Sequence, residues 1–369
     1  MRKVFTLIVA ALVTFPVLGR NVLDDILPVR GFAIEAPSPR GLDAFLRFID
    51  EDLSPAGFNL LILRVDWNYA YESHPELRDP DPLSREDAAR IAAACAAHNI
   101  KVVPHINLLG HQSWAKQDGA LLRAYPQFDE TPSIRTEDYS EWPNEYGLYC
   151  KSYCPLHPEV HEVILPVIDE LCDAFGADTF HAGMDEVFYI GMDECPRCQG
   201  HDPAELFAGE VTLLRNHLAE RGRKLMIWGD RLLDGEVTGL GEWEASTNGT
   251  AGAIDLIPRD VFICDWHYER ADLTGVYFAM KGLQVAECGY RDADICEQQI
   301  DDLVRFRRQT PEETSGRLGG YIHTVWSGAG AFLNRLEVAK NGADAPGRSD
   351  DVRAFLRVQE VFKRYSNRF

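Results

Sequence analysis

The sequence predicts an α/β protein with a single (β/α)8 barrel, the TIM-barrel fold. Three observations support this. Eight short apolar segments have strand character, most of them are separated by segments with helical spacing of apolar residues, and no internal low-complexity linker divides the chain. Such βα alternation predicts a parallel sheet closed into a barrel. The 369 residues are enough for one large domain.

The predicted strands are short and mostly apolar. Segment 59–65, NLLILRV, is apolar almost throughout, which suits a parallel strand covered on both faces. Segment 177–180 is a brief lead-in to a polar motif. The eight predicted strands are 29–36, 59–65, 101–106, 177–180, 224–227, 261–265, 283–287 and 321–325.

The predicted helices follow from apolar spacing and from one capping signal. Leu42, Phe45 and Ile49 recur at helical intervals. Ser84 followed by Asp87 is an acidic variant of the capping box and predicts a helix start. The predicted helices are 39–51, 84–98, 158–175, 204–221, 293–309 and 350–365. The excursion 107–158 is long for a loop, which predicts a functional or locally structured segment.

The net charge of the chain and its N-terminal residues indicate which partners are disfavoured and where the protein is located. A net charge of −21 disfavours nucleic acid and anionic lipid as partners. Arg2 and Lys3 precede an apolar run over 4–18, which predicts a signal peptide at 1–19, export to the periplasm or the medium, and a mature barrel at 20–369. A retained membrane anchor is the alternative, although the run is short for a spanning helix.

The nine cysteines are an odd number, so they cannot all pair within one chain. The motif Cys195-Pro-Arg-Cys198, with His201 nearby, could bind zinc or form a loop disulfide, and the sequence leaves both open. Cys150 and Cys154 also stand in a predicted loop. Four cysteines lie in helix or strand patterns and are expected to be buried thiols: Cys95, Cys172, Cys264 and Cys288.

Two adjacent acids carry the strongest chemical signal. In HAGMDEVFYIG (181–191), Asp185 and Glu186 follow the fourth predicted strand, and Gly183 permits a turn just before them. Neighbouring residues of a strand point to opposite faces, so the strand must end here for both acids to serve one site. The alternative is a solvated acid pair in a loop.

Other polar and aromatic residues follow the remaining strands. In such a barrel the active site lies at the carboxyl ends of the strands. Aromatic faces and acids gathered there are typical of sugar binding and proton transfer. Arg30 is the exception, since it opens the first strand. The strand-end residues are Asp66, His111, Trp228, Asp230, Asp265, Trp266, Tyr268 and Trp326.

The motif His-x-Gly-x-Asp-Glu resembles the signature of glycoside hydrolase family 20, the β-N-acetylhexosaminidases. Shorter segments resemble that family in the same order: Arg30-Gly31, Val65-Asp66, PHINLLGHQ (104–112), Trp228-Gly229-Asp230 and GGYIHTVWSG (319–328). The resemblance covers about residues 29–335. It implies exo-hydrolysis of glycans with a terminal N-acetylhexosamine and no cofactor or catalytic metal.

The resemblance also implies roles. Glu186 would be the general acid and base, while Asp185 would hold the substrate acetamide, whose oxygen attacks the anomeric carbon with overall retention. His111 and Asp66 would form a hydrogen-bonded chain behind Glu186. Arg30 and Asp230 would contact sugar hydroxyls, and an aromatic wall would enclose the acetamide: Trp228, Trp266, Tyr268 and Trp326.

The sequence departs from the family pattern at several positions. Glu35 stands where the family usually has Asp, His105 and Asn107 replace acids of the third strand, and Gly328 replaces an acid that contacts outer hydroxyls. Two alternatives therefore stay open. One is a two-carboxylate glycosidase with Asp230 or Asp265 as second acid, and the other is a carbohydrate-binding barrel without turnover.

Overall fold

The computed structural model describes residues 22–114, 116–134, 150–342 and 350–367. Eight parallel strands form a closed barrel in which each strand pairs with the next and the last pairs with the first. Val29 lies opposite Gly320 at that closing seam. The strands are β1 Val29–Glu35, β2 Leu60–Arg64, β3 Lys101–Leu108, β4 Thr179–Gly183, β5 Lys224–Trp228, β6 Phe262–Trp266, β7 Gln284–Gly289 and β8 Leu318–Thr324. The predicted fold class is confirmed.

The eight predicted strands are all present, and their ends differ by a few residues. β3 runs two residues further than predicted, to Leu108, and β4 runs to Gly183. Both extensions bring regular structure closer to the polar residues that follow. A short hairpin, Ser113–Trp114 paired with Gln117–Asp118, begins the excursion after β3. The predicted signal peptide lies outside the described residues.

The helices surround the barrel. The predicted capping box is confirmed, because the Ser84 hydroxyl accepts the Asp87 N–H and the Asp87 carboxylate accepts the Ser84 N–H. No helix in the described ranges is long and apolar enough to cross a membrane. The helices are α1 Val22–Ile26, α2 Leu42–Phe48, α3 Arg85–Ala97, α4 Ala120–Ala124, α5 Val160–Phe175, α6 Pro203–Glu220, α7 Gly235–Thr238, α8 Thr274–Met280, α9 Ala293–Gln309, α10 Glu312–Ser315, α11 Ala329–Lys340 and α12 Asp350–Asn367.

The strands are buried on both faces and separate two apolar layers. On β1, Phe32 belongs to the large cluster that includes residues of the surrounding helices, while Ala33 belongs to a smaller cluster formed mainly by strand residues. This alternation follows from the two-residue period of a strand. The smaller cluster includes Trp228, Trp266 and Ile322. The barrel interior is therefore packed with side chains.

One glycine sets how closely the loop after β3 approaches the chain after β4. A Cβ atom on Gly110 would lie 2.6 Å from the carbonyl oxygen of Asp185. Backbone cannot yield as a flexible side chain can. Any larger residue at position 110 must therefore push the two loops apart.

We expect Gly110→Ala to lower the free energy of unfolding by about 1–3 kcal/mol, the usual cost of overpacking. The matched control is Gly209→Ala inside α6, where the added Cβ meets no atom within 4 Å. That variant should gain about 0.5–1 kcal/mol, because alanine is the better helix former. Equilibrium denaturation of both variants is the measurement. Equal stability of G110A and the wild type would contradict the close approach.

Candidate active site

The backbone takes left-handed turns where β2, β3 and β4 end. Six described residues other than glycine have positive φ, and five of them lie at these strand ends: Asp66 (46°), Leu109 (61°), His111 (55°), Met184 (67°) and Glu186 (48°). Such conformations are unfavourable for residues with a Cβ and cluster at functional sites. Here they end the strands abruptly. As predicted, β4 stops before the acid pair, and both acids line one cavity.

A cavity of about 950 Å³ opens among the loops that follow the strands. Of the predicted site residues, the cavity wall includes both acids, His111, Asp66 and three aromatic side chains. Several other lining residues were not among the predicted site residues. Trp67, Trp114 and Trp243 add aromatic surface, and Arg64, Asn107, Glu244, Glu269 and Arg270 add polar groups.

His111 lies between the two acids. Its Nε2 atom is 3.1 Å from Asp185 Oδ2 and 3.3 Å from Glu186 Oε2. Burial opposes a charged imidazole, but Asp185 and Glu186 outweigh it and raise the pKa of His111 well above its ordinary value. A protonated imidazole therefore faces the two carboxyl groups.

The two acids differ in proton affinity. Burial opposes ionisation of Asp185, but the charge and hydrogen bond of His111 outweigh it and lower its pKa. The other oxygen, Oδ1, is buried and has no hydrogen-bond partner among the described residues. Burial raises the pKa of Glu186 to about 7, against the opposing charge of His111 and with help from Asp230. One acid is therefore held ionised and the other can carry a proton near neutral pH.

Three aromatic side chains stand together on one wall. The Trp326 indole donates a hydrogen bond of 2.7 Å from Nε1 to the Tyr268 hydroxyl, and the rings of Trp266 and Tyr268 have centroids 5.0 Å apart. The indole Nε1 of Trp266 donates to Asp230 at 3.2 Å. These bonds fix the rings, so the wall is preformed.

Comparison with known proteins identifies the family of this chain. The profile described as glycosyl hydrolase family 20, catalytic domain, matches residues 68–289, more than half of the chain. This chain belongs to glycosyl hydrolase family 20. Asp66 and the first two strands lie before the matched range. The acid pair, His111 and the aromatic residues Trp266 and Tyr268 lie within it.

Curated relatives agree with this membership over shorter stretches. A β-hexosaminidase of Akkermansia muciniphila is 31% identical over 116 residues, which is 31% of this chain and 22% of that protein. A β-hexosaminidase of Vibrio furnissii is 24% identical over 192 residues, which is 52% of this chain and 27% of that protein. The matches thus span about a quarter of each relative's length.

Solved structures of β-N-acetylhexosaminidases and a chitobiase share the fold of this chain. The solved chitobiase of Flavobacterium johnsoniae superposes with a TM-score of 0.64 at 18% identity, covering 92% of this chain and 51% of that one. A β-N-acetylhexosaminidase of Bacteroides fragilis superposes with a TM-score of 0.60 at 16% identity, covering 93% and 72% of the two chains. At such identity these likenesses establish the shared barrel alone.

Within this family 20 barrel, the Asp66 carboxylate is hydrogen-bonded to Asn107. Its carboxylate lines the cavity and accepts hydrogen bonds from the backbone N–H of Asn107 at 2.8 Å and from the Asn107 amide at 3.1 Å. His111 contacts Asp185 and Glu186. Burial raises the pKa of Asp66, and the charge of His111 is among the effects that oppose this rise. The described hydrogen bonds thus connect Asp66 to Asn107, and the predicted chain from Asp66 through His111 to Glu186 stays a prediction. The amide of Asn107 suits its place, because an ionised carboxylate there could not donate to Asp66.

Asp230 lies beneath the cavity and outside its wall. It is almost fully buried and does not line the cavity. Its Oδ2 atom accepts the backbone N–H of Glu186 at 2.9 Å and the Arg231 Nε–H at 2.7 Å, and Oδ1 accepts the Trp266 indole N–H. All these bonds turn its carboxylate inward, away from the cavity, and the predicted sugar contact stays a prediction. Asp230 positions Glu186 and Trp266.

Trp228 and Arg30 are also displaced from their predicted roles. Trp228 is buried beneath the cavity, with its ring centroid 4.5 Å from that of His181 and 5.6 Å from that of Trp326. It supports the aromatic wall without lining it. Arg30 lies at the opposite end of β1, where its guanidinium donates to the carbonyls of Leu27 and Gly57. As the second residue of a seven-residue strand, it cannot reach the mouth of the barrel.

Arg64 is the arginine that does reach the cavity. It ends β2, lines the wall and forms an ion pair of 2.6 Å with Glu35. Its guanidinium carbon lies 5.6 Å from the ring centroid of Trp326. Its signal in the sequence was its position as the last residue of β2, directly before the Val65-Asp66 motif. Arg64 and Glu35 place polar groups beside the aromatic wall.

The buried ion pair of Asp230 with Arg231 generates a stability prediction. Their side chains are 0% and 1% exposed. In Asp230→Asn, the arginine charge would remain buried without its partner, so we expect a loss of about 3–5 kcal/mol. The control Asp255→Asn removes an exposed pair with Lys281 and should cost at most about 1 kcal/mol. Denaturant unfolding of both variants tests this, and similar small losses in both would contradict the network.

Proposed function

We propose that this chain is an exo-acting glycosidase that removes a terminal β-linked N-acetylhexosamine from glycans. One observation carries the proposal: two adjacent acids face one cavity, and His111 and burial give them opposite proton affinities. The names of the two curated relatives, both β-hexosaminidases, point to the same substrate class.

The first chemical step uses both acids. Glu186, with its pKa near 7, gives its proton to the departing glycosidic oxygen as the bond to the anomeric carbon breaks. The acetamide oxygen of the sugar forms the new bond to that carbon, which gives an oxazolinium intermediate. Ionised Asp185 accepts the acetamide N–H through the unpartnered Oδ1 and stabilises the positive charge that develops.

The second step reverses the proton flow. Glu186, now ionised, removes a proton from water as the water oxygen attacks the anomeric carbon. The bond to the acetamide oxygen breaks, and the sugar leaves with the configuration of the substrate. The aromatic wall of Trp266, Tyr268 and Trp326 suits the apolar faces of a sugar and its acetamide methyl.

The two-carboxylate alternative receives less support. It needs a second acid about 5–9 Å from Glu186 that faces the same space. Neither predicted candidate lines the cavity. Asp230 is turned inward, and Asp265 is fully buried, where Oδ2 accepts the Thr274 hydroxyl at 2.8 Å and Oδ1 lies 3.1 Å from His267. A binding protein without turnover would not need an acid whose pKa is raised to about 7 at the cavity wall.

Two substitutions separate the proposed roles. Glu186→Gln removes the proton donor, so glycosides with poor leaving groups should lose about 10²–10⁴-fold in kcat/KM, and activated aryl glycosides should lose less in the first step. Asp185→Asn leaves the donor in place but weakens the hold on the attacking acetamide. Its loss, on the order of 10²–10³-fold, should persist with good leaving groups. Steady-state kinetics across a series of aryl leaving groups measures how strongly kcat/KM of each variant depends on the leaving-group pKa.

Added azide supplies the control. When Glu186 is replaced, azide can attack the oxazolinium intermediate and give a glycosyl azide with retained configuration. When Asp185 is replaced, the nucleophile is still on the sugar, so no inverted azide is expected. An inverted glycosyl azide from D185N would identify Asp185 as the nucleophile and refute the acetamide mechanism.

A further inference from the structure

Four side chains with metal-binding atoms meet away from the cavity: Glu130, Cys154, Cys195 and Cys198. One ligand atom from each lies within 4.8 Å of the others, and all four residues are buried. None of them lines the cavity. We propose that this cluster is a structural zinc site with three thiolate ligands and one carboxylate ligand.

The sulfur distances favour a metal over a disulfide. Cys154 Sγ is 3.4 Å from Cys198 Sγ and 3.5 Å from Cys195 Sγ. A disulfide holds its sulfurs at about 2.0 Å. Thiolates bound tetrahedrally at about 2.3 Å from zinc lie roughly 3.8 Å apart. Cys154 is also equally close to both other sulfurs, whereas a disulfide would select one and leave the other as a thiol.

Glu130 supplies the fourth ligand. Its Oε1 atom accepts the backbone N–H of Met192 at 3.2 Å, which orients the carboxylate. Its Oε2 atom is buried and has no hydrogen-bond partner among the described residues. A buried oxygen without a partner is costly, and a cation beside three thiolates would satisfy it. Three sulfurs and one oxygen complete four-coordination, so the site is closed and structural.

These donors differ from those that the sequence suggested. His201 is exposed, and it contributes no atom to the cluster. The two missing ligands come instead from the excursion after β3, 41 and 65 positions before Cys195. Glu130 and Cys154 therefore join that excursion to the loop that follows the acid pair. The excursion also reaches the acids directly, since Cys150 Sγ lies 3.5 Å from the Glu186 carbonyl oxygen.

A metal at this point would hold the two loops that flank the cavity. Binding energy at such a site adds to folding energy, because the ligands come together only in the folded chain. The proposal does not depend on the proposed hydrolysis, since it concerns metal content and loop stability. An inactive protein that contains zinc would leave it intact.

The test is metal analysis of the purified full-length chain. After dialysis against a weak chelator, we expect about one zinc per chain in the wild type. Cys198→Ala should lose nearly all of it. The matched control Cys95→Ala, which removes a buried thiol of α3 outside the cluster, should retain it. Glu130→Gln keeps the thiolates and should bind zinc at least about tenfold more weakly in chelator competition, because even loss of an outer-shell partner costs that much.

A spectroscopic measurement on the wild type tests the site even if a variant fails to fold. Cobalt substituted into the wild type should give the intense visible bands of a tetrahedral site and thiolate charge-transfer absorption. Three results would overturn the proposal: a metal-free wild type whose peptide map links Cys154 to Cys195 or Cys198 by a disulfide, a metal-free wild type with free thiols, or full zinc retention in C198A.

Discussion

The imidazole of His111 between two carboxyl groups is the interaction on which the site depends. Two buried acids one residue apart would otherwise repel each other, and both would tend to hold protons. The hydrogen bond from His111 to Asp185, at 3.1 Å, makes the difference between them, because it holds Asp185 ionised while burial raises the pKa of Glu186 to about 7. His111 can reach both acids only because the loop after β3 passes against the backbone of Asp185 at Gly110.

The support for this geometry lies one layer deeper. Asp230 fixes the backbone of Glu186 and the ring of Trp266 with the two oxygens of one carboxylate, and Arg231 balances its charge. Trp228 fills the space beneath the wall against His181 and Trp326. The proposed zinc cluster would act from the side, by joining the loops that flank the acids. Residues outside the cavity wall thus determine where the acids and rings stand.

The sequence predicted what depends on local pattern. Apolar runs identified all eight strands, Ser84 and Asp87 identified a helix start, and Asp185-Glu186 after a strand identified the acid pair. The depth at which a side chain is buried and the direction in which it points were not predictable in this way. Trp228 ends β5 and Asp230 follows it, as site residues would, yet tertiary packing turns them inward. Arg30 matched a family motif but begins its strand. Glu130 and Cys154 are too far from Cys195 in the chain for any spacing rule to join them.

The central claim is that Asp185 presents the substrate's own acetamide as the nucleophile. The most direct measurement is kcat/KM for aryl glycosides whose N-acetyl group carries zero, one, two or three fluorine atoms. Fluorine withdraws electrons from the acetamide oxygen without changing the leaving group. The account predicts a steep fall with each added fluorine, because the attacking oxygen becomes a poorer nucleophile. Nearly equal rates across the series would contradict it and indicate a nucleophile supplied by the protein.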